Sequence, residues 1–208
     1  MPLPALTLFA LFLALPLQES DPPEADPAQV SEVDAINCRL NVPSYTGFAM
    51  SLGGKDGIAR KRGWKQVGSG DGFLLEYQLP APITVAGHRT QRVAFSGDSI
   101  LAILDVPDPA VLAGPEQITN DFDIEPMIAE LVASGKATRA QIEAEFKFRK
   151  FGGERILKEE TEAAGEGESF GSHMMVARTI TNAATHPGKT LYGCAYRMEV
   201  LDKDGAPL

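Results

Sequence analysis

Histidine and cysteine are scarce in this chain, and their scarcity excludes several chemistries at the outset. Only three histidines occur among 208 residues, at His88, His173 and His186, and they are scattered. Metal sites need clustered ligands, so no metal is expected. The two cysteines, Cys38 and Cys194, lie 156 positions apart, which excludes the C-x-x-C spacing of redox-active and zinc-binding pairs. Positive charge is in the minority, with 19 Lys and Arg against 28 Asp and Glu and a net charge of −9. A general nucleic-acid binder needs the opposite balance, so no nucleic-acid partner is expected. No apolar run approaches the roughly 20 residues that span a bilayer, so no transmembrane anchor is expected either. Internal repeats are absent.

What is present begins with Ala5 to Leu17, an uncharged run of 13 residues. That length suits the hydrophobic core of a secretory signal. Residues 1–20 are read as a signal peptide, cleaved between Pro16 and Ala25. Residues 21–34, rich in Pro and acid, read as a flexible spacer. Residues 35–208 then form a single α+β domain, exported to the periplasm or outside the cell. An oxidising compartment would pair Cys38 with Cys194. Ile36, Cys38, Leu40 and Val42 alternate with polar residues, and Tyr192, Cys194, Tyr196, Met198 and Val200 would share one face of a strand. Both cysteines are therefore predicted on the apolar faces of strands, one first and one last in the domain.

Strand-like alternation recurs at Phe73, Leu75, Tyr77 and Leu79. Gln91–Phe95 and Ser99–Leu104 flank a Ser96-Gly97-Asp98 turn, and Met174–Thr181 and Thr190–Leu201 flank a second. Both pairs read as β-hairpins. Between them, Ile124, Met127, Ile128, Leu131 and Val132 form a helical stripe, with Asp123 as N-cap and Gly135 as stop. A second helix starts at the Thr138/Gln141 capping box, with Ile142 and Phe146 as its stripe. Glu143 with Lys147 and Glu145 with Arg149 are i, i+4 pairs on it. The expected architecture is α+β: a mostly antiparallel sheet with a helical pair inserted before the C-terminal β-hairpin.

Candidate sites are few. Gly97-Asp98-Ser99-Ile100 resembles the Gly-Asp-Ser-Leu block of the GDSL, or SGNH, hydrolases. The resemblance implies Ser99 as nucleophile and Asn120, in Ile118-Thr119-Asn120-Asp121, as oxyanion-hole residue. The family's glycine before that asparagine is Ile118 here, and its C-terminal Asp-x-x-His block is absent. A hairpin turn accounts for Gly-Asp-Ser equally well. Gly53-Gly54-Lys55-Asp56 and Gly68 to Gly72 fall short of phosphate-loop patterns and read as turns. His173-Met174-Met175 with Met198 hints at a soft metal site, but adjacent strand residues face opposite ways, so core-filling methionine is the expected role. Asp121, Asp123 and Glu125 charge a helix start.

One feature stands out against the acidic whole: Lys55, Arg60, Lys61, Arg62 and Lys65, with Trp64 among them. A second basic stretch, Lys147, Arg149, Lys150, Arg155 and Lys158, is interleaved with Phe146, Phe148 and Phe151. If the two converged they would form a positive, partly aromatic patch for an anionic envelope component or protein. The sequence thus leads to a non-enzymatic exported binding or interaction module without a cofactor, with a Ser99 hydrolase as the alternative.

Overall fold

The computed structural model describes residues 25–68, 74–122, 125–145, 151–183 and 185–208. The apolar leader, the start of the spacer, Phe73, the Asp123 cap, Ile124 and the stretch Phe146–Lys150 with its i, i+4 pairs lie outside the described residues. So do Ser69 to Gly72 of the second glycine-rich segment.

The frame is one seven-stranded sheet built from β1 (Lys65–Val67), β2 (Leu75–Val85), β3 (His88–Ser96), β4 (Ser99–Leu104), β5 (Gly152–Glu162), β6 (Phe170–Thr181) and β7 (Thr190–Asp202). Its strand order is β1-β2-β3-β4-β7-β6-β5, and every neighbouring pair is antiparallel. The α+β expectation holds. Both expected hairpins form: Ser96 pairs with Ser99 around Gly97 at φ +51, and β6 pairs with β7 along its length. Two meanders, β1–β4 and β5–β7, join at the β4/β7 seam. At that seam Gly193 faces Leu101 so closely that a Cβ would lie 1.9 Å from the Ile100 carbonyl oxygen. Gly193→Ala is expected to destabilise the fold by about 3 kcal/mol, because backbone must shift to admit the methyl. Urea denaturation measures it, and an unchanged midpoint would contradict the tight seam.

One face of the sheet carries the main core. Tyr77, Val93, Phe95, Ile100, Tyr192, Cys194 and Tyr196 meet the helices α1 (Glu32–Ile36), α2 (Val42–Met50), α3 (Ile58–Lys61) and α4 (Ala110–Glu116) in one apolar cluster. Trp64, Tyr77 and Phe95 pack ring against ring within it. The opposite face has a smaller cluster of Ala94, Leu101, Ile103 and Leu191.

The N-terminal part differs from the sequence expectation. The segment read as a strand is a turn, residues 37–41, between Ile36 at the end of α1 and Val42 at the start of α2. Ser31 caps α1, its side chain accepting from the Val33 and Asp34 N–H groups. Asn41 caps α2 in the same way, and a proline sits in its first turn. Those capping signals are stronger than a four-residue alternation. Buried Val42, Tyr45 and Phe48 follow helical spacing instead. The boundary of the spacer also moves, because Val30 is 3% exposed within the main core. Arg62 donates to the carbonyls of Ala28 and Val30, and the Ala25 N–H donates to Ser44 Oγ. Glu32 and Asp34, which read as spacer charge, are the acidic first turn of α1.

The helical pair forms as α5 (Glu125–Ala133) and α6 (Arg139–Glu145). Gly135 ends α5 at φ +68. At α6 the Thr138 N–H donates to Gln141 Oε1 and the Gln141 N–H to Thr138 Oγ1, a complete capping box. Of the α5 stripe, Ile128 is buried while Met127 and Val132 stay exposed. The pair precedes β5, an edge strand that the sequence reading placed within a basic stretch.

Candidate functional site

The basic tract is divided by the fold. Trp64 is buried in the aromatic core, and Arg62 is committed to Glu32 and two carbonyls while covering the Phe48 and Trp64 rings. Neither is available to a partner. Lys55, Arg60, Lys61 and Lys65 remain exposed around α3 and β1. Of the second stretch, Lys147, Arg149 and Lys150 lie outside the described residues, and Arg155 and Lys158 lie on β5, at the opposite edge of the sheet from β1. There Arg155 pairs with Glu116 and Lys158 with Glu160.

Ser99 opens β4 just after the hairpin turn. Its hydroxyl donates to Asp98 Oδ1, and Asp98 Oδ2 accepts from Arg197. His173 contacts Thr161 and Glu159, and His186 contacts Thr185 and Glu76. Among the described residues no hydrogen bond joins Ser99 to an imidazole, the base that a serine nucleophile requires. The side-chain oxygen of Asn120 accepts from the Phe122 and Gly152 N–H groups and so ties the loop after α4 to β5. Met174 faces Met198 across β6/β7, while Met175 pairs with Arg197 on the other face. Among the described residues no group of three or more His, Cys, Asp or Glu is placed to hold a metal, and no helix is long and apolar enough to cross a membrane.

Cys38 and Cys194 form the disulfide, with Cα atoms 5.3 Å apart. Cys194 lies on β7 as expected, whereas Cys38 sits in the α1/α2 turn at φ +59.

A cluster that sequence reasoning did not find lies on the less-covered face. Glu76 of β2 is 0% exposed, on the strand face that alternation had assigned to solvent. The β6/β7 connection reaches back across β4 and β3 and sets His186 Nε2 2.8 Å from Glu76 Oε1. The other carboxylate oxygen accepts from Arg92 of β3. The Arg92 Nε is buried without a hydrogen-bond partner. His186 Nδ1 lies 2.9 Å from Thr185 Oγ1, which fixes the second side of the ring.

Above these groups is an open cleft of about 560 Å³, lined by Arg89, Arg92, His186 and Lys189 together with Thr90 and Asp105 among others. Lys189 pairs with Asp105. Arg89 is exposed and has no ion pair among the described residues. Of the three permanent cations in the lining, Arg92 is matched by Glu76 and Lys189 by Asp105, which leaves Arg89 as the unmatched charge among the described residues. Nothing in the local sequence marks this site, since Glu76, Arg92 and His186 come from three strands or loops and read individually as solvated residues.

No family model, curated protein or solved structure matches this chain.

Proposed function

We propose that this protein is an exported binding module that takes a small oxyanionic ligand, a carboxylate or phosphate group, in the Arg89/Arg92/His186 cleft. The observation that carries the reading is the fully buried Glu76 beneath the cleft. A buried carboxylate with its partners is a weak source of stability compared with a well-packed apolar residue. Its effect here is to hold Arg92 and His186 in place at the cleft floor. A preorganised guanidinium and a fixed imidazole bind oxyanions with little ordering on association. A volume of about 560 Å³ fits a small molecule. The leader-like Ala5–Leu17 run and the disulfide support an oxidising, extracytoplasmic setting.

Calorimetric titration at constant ionic strength with citrate and inorganic phosphate tests the proposal, with glucose as the neutral control. Wild type is expected to bind at least one anion, and Arg89→Ala to weaken it by about tenfold, the worth of one charge-assisted contact. Arg89 has no ion pair among the described residues and is exposed, so its loss is expected to leave the fold intact. Absence of anion binding, or equal binding by Arg89→Ala, would overturn the reading.

A further inference from the structure

On the opposite face, and independent of the cleft, the sheet outruns its helical cover. β6 and β7 are 12 and 13 residues long, whereas β4 has 6. The core on that face closes where Tyr45 of α2 stacks on Tyr196, ring centroids 4.3 Å apart. The next side chains of β7 on the same face, Met198 and Val200, are 59% and 43% exposed. Met174 stands beside Met198 in register, and Phe170 of β6 is 58% exposed near the strand end. The C-terminal tail returns along β7, with the Leu208 N–H donating to the Val200 carbonyl, and adds Leu208 at 76% exposure. Phe170, Met198, Val200, Pro207 and Leu208 line a groove of about 580 Å³.

The rim of this groove is acidic. Glu160 and Glu162 of β5 share its face, as their register with Met174 and Ser172 shows. Glu199 is among the residues lining the groove, and Asp202 stands opposite Phe170 in the β6/β7 register. Lys158 is already paired with Glu160. Contiguous exposed apolar side chains mark contact surfaces, and methionine suits them because it adapts to varied shapes.

We propose that this groove docks a cationic amphipathic peptide segment, one that presents apolar side chains flanked by Lys or Arg. Charge decides among occupants. Anionic lipid would be repelled by the carboxylate rim. A second copy would bring like charge onto like charge, a juxtaposition that costs several kcal/mol. A cationic segment neutralises the rim while its apolar side chains cover Met198 and Val200.

Fluorescence anisotropy on the full disulfide-bonded chain tests this, using a labelled Leu/Lys amphipathic helix of about 18 residues and its Leu/Glu twin. The Leu/Lys peptide alone is expected to bind. Met198→Gln/Val200→Gln, which leaves every charge in place, is expected to weaken it by about tenfold or more. Glu162→Gln/Glu199→Gln is expected to weaken it at low salt and to have little effect at high salt. All four positions are exposed, and thermal melts establish that the variants stay folded; Phe170→Ser supplies a third apolar probe on another strand. Equal binding of the Leu/Glu peptide, or undiminished binding by Met198→Gln/Val200→Gln, would overturn the proposal. So would vesicle binding or self-association that competes with the peptide and is lost in the same apolar variants.

Discussion

Cys38→Ser/Cys194→Ser is expected to lose about 5 kcal/mol of stability, because the bridge closes a loop of 156 residues. That is comparable with the whole stability of many domains, so the variant should be largely unfolded at elevated temperature. The bond ties the α1/α2 turn to the centre of the sheet, where Cys194 is 0% exposed and pairs with Ile100. A second comparison isolates the backbone contribution. Cys38 sits at φ +59, where any residue with a Cβ is unfavourable by about 1–2 kcal/mol. Cys38→Gly/Cys194→Ser should therefore be about 1 kcal/mol more stable than the double serine variant. Urea denaturation under non-reducing conditions measures both differences. A serine variant as stable as wild type would mean that the linkage does not constrain the unfolded chain.

Arg178→Met is expected to lose about 3–5 kcal/mol, because the partners of a buried cation are left unpaired. Arg178 is 5% exposed, and its Nη1 donates to the carbonyls of Ile36 at 2.6 Å and Gly193 at 2.9 Å. It thereby joins α1 to β7 from β6. Its guanidinium lies 4.4 Å from the Tyr192 ring centre, and Glu116 of α4 accepts from the Tyr192 hydroxyl and from Arg155. Arg178 Nε lies 3.5 Å from Glu116 Oε1, so adding Glu116→Gln to Arg178→Met should produce less than the sum of the two single losses.

The same network predicts how stability depends on pH. Burial acts to raise the Glu116 carboxyl, but the Tyr192 and Arg155 hydrogen bonds and the Arg178 charge outweigh it and hold it below the usual carboxylate range. Its contribution is therefore complete above the unfolded value of about 4.3 and is lost as pH falls through the depressed folded value. Burial, then the Glu116 hydrogen bond, pushes Tyr192 up to about 12. The unfolded phenol ionises near 10, so stability declines as pH rises from there toward 12. Glu116→Gln should flatten the acid limb of a stability–pH curve; an unchanged limb would show that Glu116 is not linked to folding.

The strands that were legible in sequence are those set off by turn signals. β3 with β4, and β6 with β7, flank Gly- or Pro-bearing turns and pair as expected, although β4 is apolar and buried on both faces. The Thr138/Gln141 box was legible because capping is a local interaction. β5 was not, because an edge strand with Glu and Lys along Gly152–Glu162 shows none of the apolar periodicity of a core strand. α1 and α2 were missed because two short helices around a tight turn imitate four residues of alternation.

The candidate sites were less legible than the fold. A basic tract announces charge but not orientation, and packing took Trp64 and Arg62 out of it. Glu76 occupies a polar position in a strand, and only the return of the β6/β7 connection, 110 residues later, buries it.

From its sequence alone this chain was already committed to an antiparallel α+β body, a capped helical pair and a single possible disulfide, because periodicity, capping and cysteine count are properties of neighbouring residues or of composition. Tertiary structure decided which charges are buried, which face of the sheet is left bare and where the cleft opens. Those outcomes depend on segments far apart in the chain meeting in space, and no local pattern encodes that meeting.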